Sequence, residues 1–219
     1  MTAKAEERDL FASLRRFARP RRSDEPRCEL CASVMGAEHR HLLEMKSRSI
    51  VCTCGPCSIL FGNQAQANYR QIPSDVKILP DFVLADPDWD SLSIPINMAF
   101  FCMRSGAARP TVYYPSPAGA TESLLAIESW QSIVEQNPAL LSMEPEVECL
   151  LVNRITKPHE YYLAPIDECY RLVGLIRSQW HGFSGGTDVW KTIGAFFTSL
   201  RDRAIRIGQT ADARTHFSD

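Results

Sequence analysis

Seven side chains able to bind a soft metal fall between residues 28 and 57 of this 219-residue chain: Cys28, Cys31, His39, His41, Cys52, Cys54 and Cys57. Five of the eight cysteines lie in that stretch. The first pair reads C-E-L-C and the last triplet reads C-T-C-G-P-C. Each C-x-x-C pair can turn two thiolates toward one ion, and two such pairs can close a tetrahedral site. A segment this short cannot bury enough apolar surface to hold itself together, so a metal would supply the missing folding free energy.

The leading reading is a structural zinc ion held by Cys28, Cys31, Cys54 and Cys57. His39, His41 and Cys52 then serve as supporting residues around the ion or as alternative ligands. Those three keep an iron reading open, because a plain tetrathiolate zinc site does not need them. Rubredoxin-type iron also uses two C-x-x-C pairs, and a Rieske-type iron-sulfur cluster uses two cysteines with two histidines. The order of the histidines here departs from the usual Rieske pattern. A redox dithiol at C-G-P-C stands behind both readings, since further cysteines adjoin it.

The residues between the two pairs read as a hairpin. His39 to Met45 and Arg48 to Thr53 alternate around a two-residue turn at Lys46-Ser47. In that register His41 faces Cys52 and His39 faces Cys54, and strand alternation puts all four on one face. Ser58 to Arg70 is predicted as a helix, whose N-terminal N–H groups suit thiolates. Knuckle, hairpin and a second C-x-x-C opening a helix is the order of a treble-clef zinc finger.

The rest of the chain divides by composition and periodicity. Residues 1–27 form an arm, with a short amphipathic helix predicted over 5–18 from Leu10, Phe11, Leu14 and Phe17 and ended by Pro20. The arm also carries a basic run of Arg15, Arg16, Arg19, Arg21 and Arg22. Residues 28–70 are the metal module. Residues 71–93 are a connector with Pro73, Pro80, Pro87, an acidic run at Asp81, Asp86, Asp88 and Asp90, and a short strand near Val76–Leu79. Residues 94–205 are an α+β domain, and 206–219 are a tail.

Within 94–205 a pattern occurs twice. F-F-C-M-R and Y-Y-P-S-P precede a helix begun at Thr121 and carrying Leu124, Ile127, Trp130 and Val134. L-L-V-N-R and Y-Y-L-A-P precede a helix begun at Pro165 and ending near Trp180. The fold class predicted is therefore α+β: a small treble-clef-like metal module followed by a duplicated β-β-α domain with an extra C-terminal helix. Duplication predicts that Trp130 and Trp180 are equivalent. It also predicts one inward and one outward tyrosine in each of Tyr113-Tyr114 and Tyr161-Tyr162.

The formal net charge is -2. That balance creates no broad field for nucleic acid or anionic membrane. No apolar run approaches the ~18–20 residues that span a bilayer. The N-terminal arginines precede no apolar segment of the secretory type, so the cytoplasm is the default expectation. There cysteines stay as thiols and thiolates, and Cys102, Cys149 and Cys169 read as core residues. No acid–base pair stands out, so the reading leans away from an enzyme and names no catalytic residue. Ser116 has no histidine visibly placed to activate it, and His159 reads as a turn residue. His181 to Gly186 lacks the G-K-[ST] of a phosphate loop and reads as a helix–helix turn.

With those residues in view, the chain resembles an uncharacterised bacterial protein family whose genes are often found beside those of uptake nickel–iron hydrogenases. The similar segments are C-E-L-C at 28–31, H-R-H-L-L at 39–43, C-T-C-G-P-C-S-I-L-F at 52–61 and Y-P-S-P-A-G-A-T-E-S at 114–123. L-V-N-R at 151–154, P-I-D-E-C-Y-R-L-V-G-L-I-R at 165–177 and G-G-T-D-V-W at 185–190 complete the set. The resemblance implies a hydrogenase accessory role in assembly, metal handling or electron delivery. Hydrogenase subunits or maturation factors would be the partners. With iron in the site, the expectation becomes an electron-transfer partner. A zinc-finger nucleic-acid-binding regulator is the further alternative.

Overall fold

The computed structural model describes residues 25–62, 68–124, 128–182 and 185–208. The predicted helix over 5–18, the basic run and Ile127 lie outside the described residues. The cysteine-rich module expected over 28–70 is built on a three-stranded sheet. Strand β1 (Arg40–Glu44) pairs antiparallel with β2 (Ile50–Thr53) on one side and with β3 (Tyr69–Gln71) on the other. Helix α1 (Gly55–Gly62) follows β2 directly. The hairpin has the predicted register, with His41 opposite Cys52.

The helix expected over Ser58–Arg70 is shorter and starts earlier, because Tyr69–Gln71 is a strand. The open edge of β1 offers backbone partners that a longer helix would forgo. Gly62 makes the close approach possible. A Cβ there would lie 3.0 Å from Gln71 Cβ and 3.1 Å from Leu42 Cδ2.

The second sheet has seven strands in the order β10-β4-β9-β8-β5-β6-β7. They are β4 (Lys77–Ile78), β5 (Met98–Cys102), β6 (Thr111–Ser116), β7 (Gly119–Glu122), β8 (Glu148–Asn153), β9 (Glu160–Pro165) and β10 (Ile205–Arg206). Neighbours are antiparallel, except that β10 runs parallel to β4. The helix expected from Thr121 is instead strand β7, with Thr121 opposite Tyr114. Ser116 Oγ lies 2.8 Å from Thr121 Oγ1 and belongs to that hairpin turn.

Both faces of this sheet are covered. On one, Phe100, Cys149, Leu151, Tyr162 and Ala164 pack with Cys169, Leu172 and Ile176 of α4 (Ile166–Gln179) and with Ile193, Phe197 and Leu200 of α5 (Gly186–Arg203). On the other, Ala99, Phe101, Leu150, Val152 and Leu163 pack with Trp89 of α2 (Asp86–Asp90) and with Trp130 and Ile133 of α3 (Trp130–Gln136).

This arrangement corrects the duplicated β-β-α expectation. The two strand pairs are present, but α3 and α4 lie on opposite faces, so the two halves are not equivalent. Trp130 opens α3, whereas Trp180 sits just past the end of α4. Tyr161 and Tyr162 are both buried, because a sheet covered on both sides has no outward face there.

The expectation that Cys102 and Cys149 are thiols is also corrected. They stand directly opposite on β5 and β8, with Cα atoms 4.5 Å apart, and form a disulfide. That spacing is typical of the closer, non-hydrogen-bonded pairs of an antiparallel ladder. Cys169 is a buried free cysteine, as expected.

The module is fastened to the larger domain. Leu43 of β1 and Ile72 enter the core beneath α4 and α5. Arg48, in the hairpin turn, pairs with buried Glu146. Asp86 of the acidic run pairs with Arg154, and Asp88 accepts from Ser129. His181 N–H donates to the carbonyl of Gly185, whose positive φ of +83° glycine adopts readily. No helix among the described residues is long and apolar enough to cross a membrane.

Candidate metal centre

Cys28 and Cys31 are presented by a tight turn. Ala32 N–H donates to the Cys28 carbonyl, Cys28 N–H donates to the Ser33 carbonyl, and Ala32 takes a left-handed φ of 61°. The turn is tied to the hairpin, since Glu29 N–H donates to the Cys52 carbonyl at 2.9 Å. Cys54 and Cys57 bracket the start of α1, where Ser58 N–H donates to the Cys54 carbonyl.

The two pairs converge. The sulfurs of Cys28, Cys31, Cys54 and Cys57 all lie within 4.8 Å of one another. Cys31 Sγ and Cys54 Sγ are 3.7 Å apart. Four sulfurs placed about 2.3 Å from a central ion at tetrahedral angles have edges of nearly that length. Zinc and iron both accept a tetrahedral set of thiolates. A four-cysteine cluster able to hold a metal ion is thus present, with the ion's identity open.

The surroundings of these thiols differ. The Ser33 hydroxyl, then the Ser33 backbone N–H, hold the Cys31 thiol down at about 6. Burial raises Cys28, but backbone N–H groups of Cys54, Cys31 and Leu30 directed at its sulfur outweigh that and lower it. Burial, then contact with the neighbouring thiols, pushes Cys57 up to about 12. Among the described residues only Met35 is buried in a cluster with Cys28 and Cys57, and Leu30, Cys52 and Cys54 pack around them. That is too small a core to hold the knuckle and α1 together unaided.

His39, His41 and Cys52 form a second group whose ligand atoms also lie within 4.8 Å of one another. The hairpin register causes this, because His41 and Cys52 are cross-strand neighbours on one face. His41 Nδ1 donates to Asp167 Oδ2 at 2.7 Å. Burial, then the charge of Glu29, raises the Cys52 thiol. Clefts of about 550 Å³ and 470 Å³ reach this region: Glu29 and Cys52 line the first, His39 and Cys54 the second.

A model of a family of unknown function, DUF5947, matches residues 27–204. The chain belongs to that family. No curated protein and no solved structure matches it. The family match takes in the four-cysteine cluster, the histidine group and every strand of the seven-stranded sheet except β10.

Three residues around the centre escape a reading of the sequence. Ser33 and Glu29 lie beside ligand candidates, but a serine or glutamate in a turn carries no signal of its own. Glu29 Oε1 accepts from Cys52 N–H at 3.2 Å. Asp167 reads from sequence as a carboxylate suited to the first turn of α4. Only the tertiary structure brings it to His41, across 126 residues.

Proposed function

We propose that this protein is a metal-binding accessory protein in which Cys28, Cys31, Cys54 and Cys57 hold one structural ion, zinc in the first instance. The convergence of four thiols in an otherwise nearly coreless segment carries the reading. The order of knuckle, hairpin and helix is treble-clef-like, and the ion would lock α1 against the hairpin. Val34, Ile59 and Leu60 are 53%, 69% and 60% exposed on this module, which supports a role in docking a protein partner. The setting we propose is assembly, maturation or partner docking in a nickel–iron hydrogenase system. That setting rests on the sequence resemblance alone.

The runner-up is an iron-containing electron-transfer protein, favoured by the same tetrathiolate geometry. Metal analysis of anaerobically purified, then oxidised protein separates the two. Stoichiometric zinc in a colourless protein overturns electron transfer. Stoichiometric iron with visible absorption that bleaches on reduction overturns structural zinc. Affinity capture with hydrogenase subunits or maturation factors tests the setting, and a zinc-loaded protein that retains none of them removes it.

A further inference from the structure

We propose that His39, His41 and Cys52 form a second metal site, separate from the tetrathiolate, which takes a divalent ion of the zinc class and leaves a coordination position open.

Three observations carry this. The first is the grouping itself: two imidazoles and one thiol each offer a ligand atom within 4.8 Å of the others. Two nitrogens and one sulfur suit zinc and cobalt, and three protein ligands with a vacant fourth position distinguish reactive zinc sites from closed structural ones.

The second is the state of the rings. His39 Nδ1 lies 3.2 and 3.1 Å from the carbonyls of Gly36 and Ala37. Carbonyls only accept, so Nδ1 carries a proton, and in the neutral ring Nε2 is then the nitrogen with the lone pair. That Nε2 is buried and has no hydrogen-bond partner. A buried acceptor without a donor needs an explanation, and a cation supplies one.

The third is Asp167. Its Oδ2 accepts a hydrogen bond from His41 Nδ1 at 2.7 Å, and its Oδ1 accepts from Glu168 N–H at 2.9 Å. A carboxylate on one imidazole nitrogen fixes the ring and makes the other nitrogen a better ligand. Asp167 is therefore a positioning residue for His41. It stands on α4, so an ion here would also couple the metal module to the larger domain. Glu29 and Asp167 add negative charge around Cys52, which favours a cation beside its sulfur.

The test is a cobalt titration of the full chain after metal removal, read by ligand-field absorption and by bound metal. The wild type should take up a second equivalent after the tetrathiolate fills. Cys52→Ser and His39→Ala should each lose the second equivalent and keep the first, which also reports that the variant is folded. Asp167→Asn should weaken the second equivalent by about 10–100-fold and leave the first unchanged. Cys28→Ser should do the reverse of Cys52→Ser. Added imidazole should shift the bands of the second equivalent only. A wild type that stops at one equivalent overturns the site. So do triad variants that keep both equivalents, or a Cys52→Ser that loses the first, since Cys52 would then belong to the tetrathiolate. Bands indifferent to imidazole overturn the open position.

Discussion

A serine in place of Cys28, Cys31, Cys54 or Cys57 nearly keeps the side chain's size and removes the soft donor. Each of these four variants should bind one zinc fewer per chain than the wild type, measured after gel filtration. Glu146 makes a second residue-scale prediction. Its burial raises the carboxyl, but Ser105 N–H, the bond to Arg48 and the charges of Arg48 and Arg104 outweigh that and hold it below the usual carboxylate range. A lowered folded-state value contributes stability that is present above the ordinary carboxylate range of about 4 and is lost as pH falls through the still lower folded value. Acid melts of the wild type should show that loss, and Glu146→Gln should flatten it. At neutral pH the same substitution should cost about 1–3 kcal/mol by chemical denaturation.

At the scale of elements, the approach of α1 to the three-stranded sheet depends on Gly62. Valine there would drive its side chain into Gln71 and Leu42. It should cost about 1–3 kcal/mol and lower metal affinity, because α1 carries Cys57 and follows directly on Cys54. The β5–β8 pairing carries the disulfide, which closes a loop between residues 47 apart in sequence. Replacing both Cys102 and Cys149 with alanine should lower stability by about 2–4 kcal/mol in denaturant melts. The four-cysteine cluster lies outside that sheet, so metal content should not change.

At the scale of the molecule, the metal module and the larger domain share a core through Leu43 and Ile72, yet the knuckle and α1 reach that core only indirectly. Chelation should therefore speed amide exchange over 25–39 and 54–62 first. Strands β5, β8 and β9, in the middle of the seven-stranded sheet, should stay protected. Uniform deprotection of the whole chain would mean that the ion supports the larger domain as well.

What the sequence determined by itself was local. The spacing of the two C-x-x-C pairs named the four converging cysteines. Alternation around a short turn set His41 opposite Cys52, because neighbours joined by a few covalent links have little freedom to pair otherwise. The strands expected over Thr111–Pro115 and Glu160–Leu163 were legible for the same reason, and each runs one or two residues further, to Ser116 and Pro165. The tertiary structure alone decided what depends on distant segments. Asp167 meets His41, Cys102 meets Cys149, and α3 and α4 take opposite faces of one sheet. Each depends on how separately formed elements stack. Alternation within a strand shows that it has two faces, but it does not say which helix will cover either one.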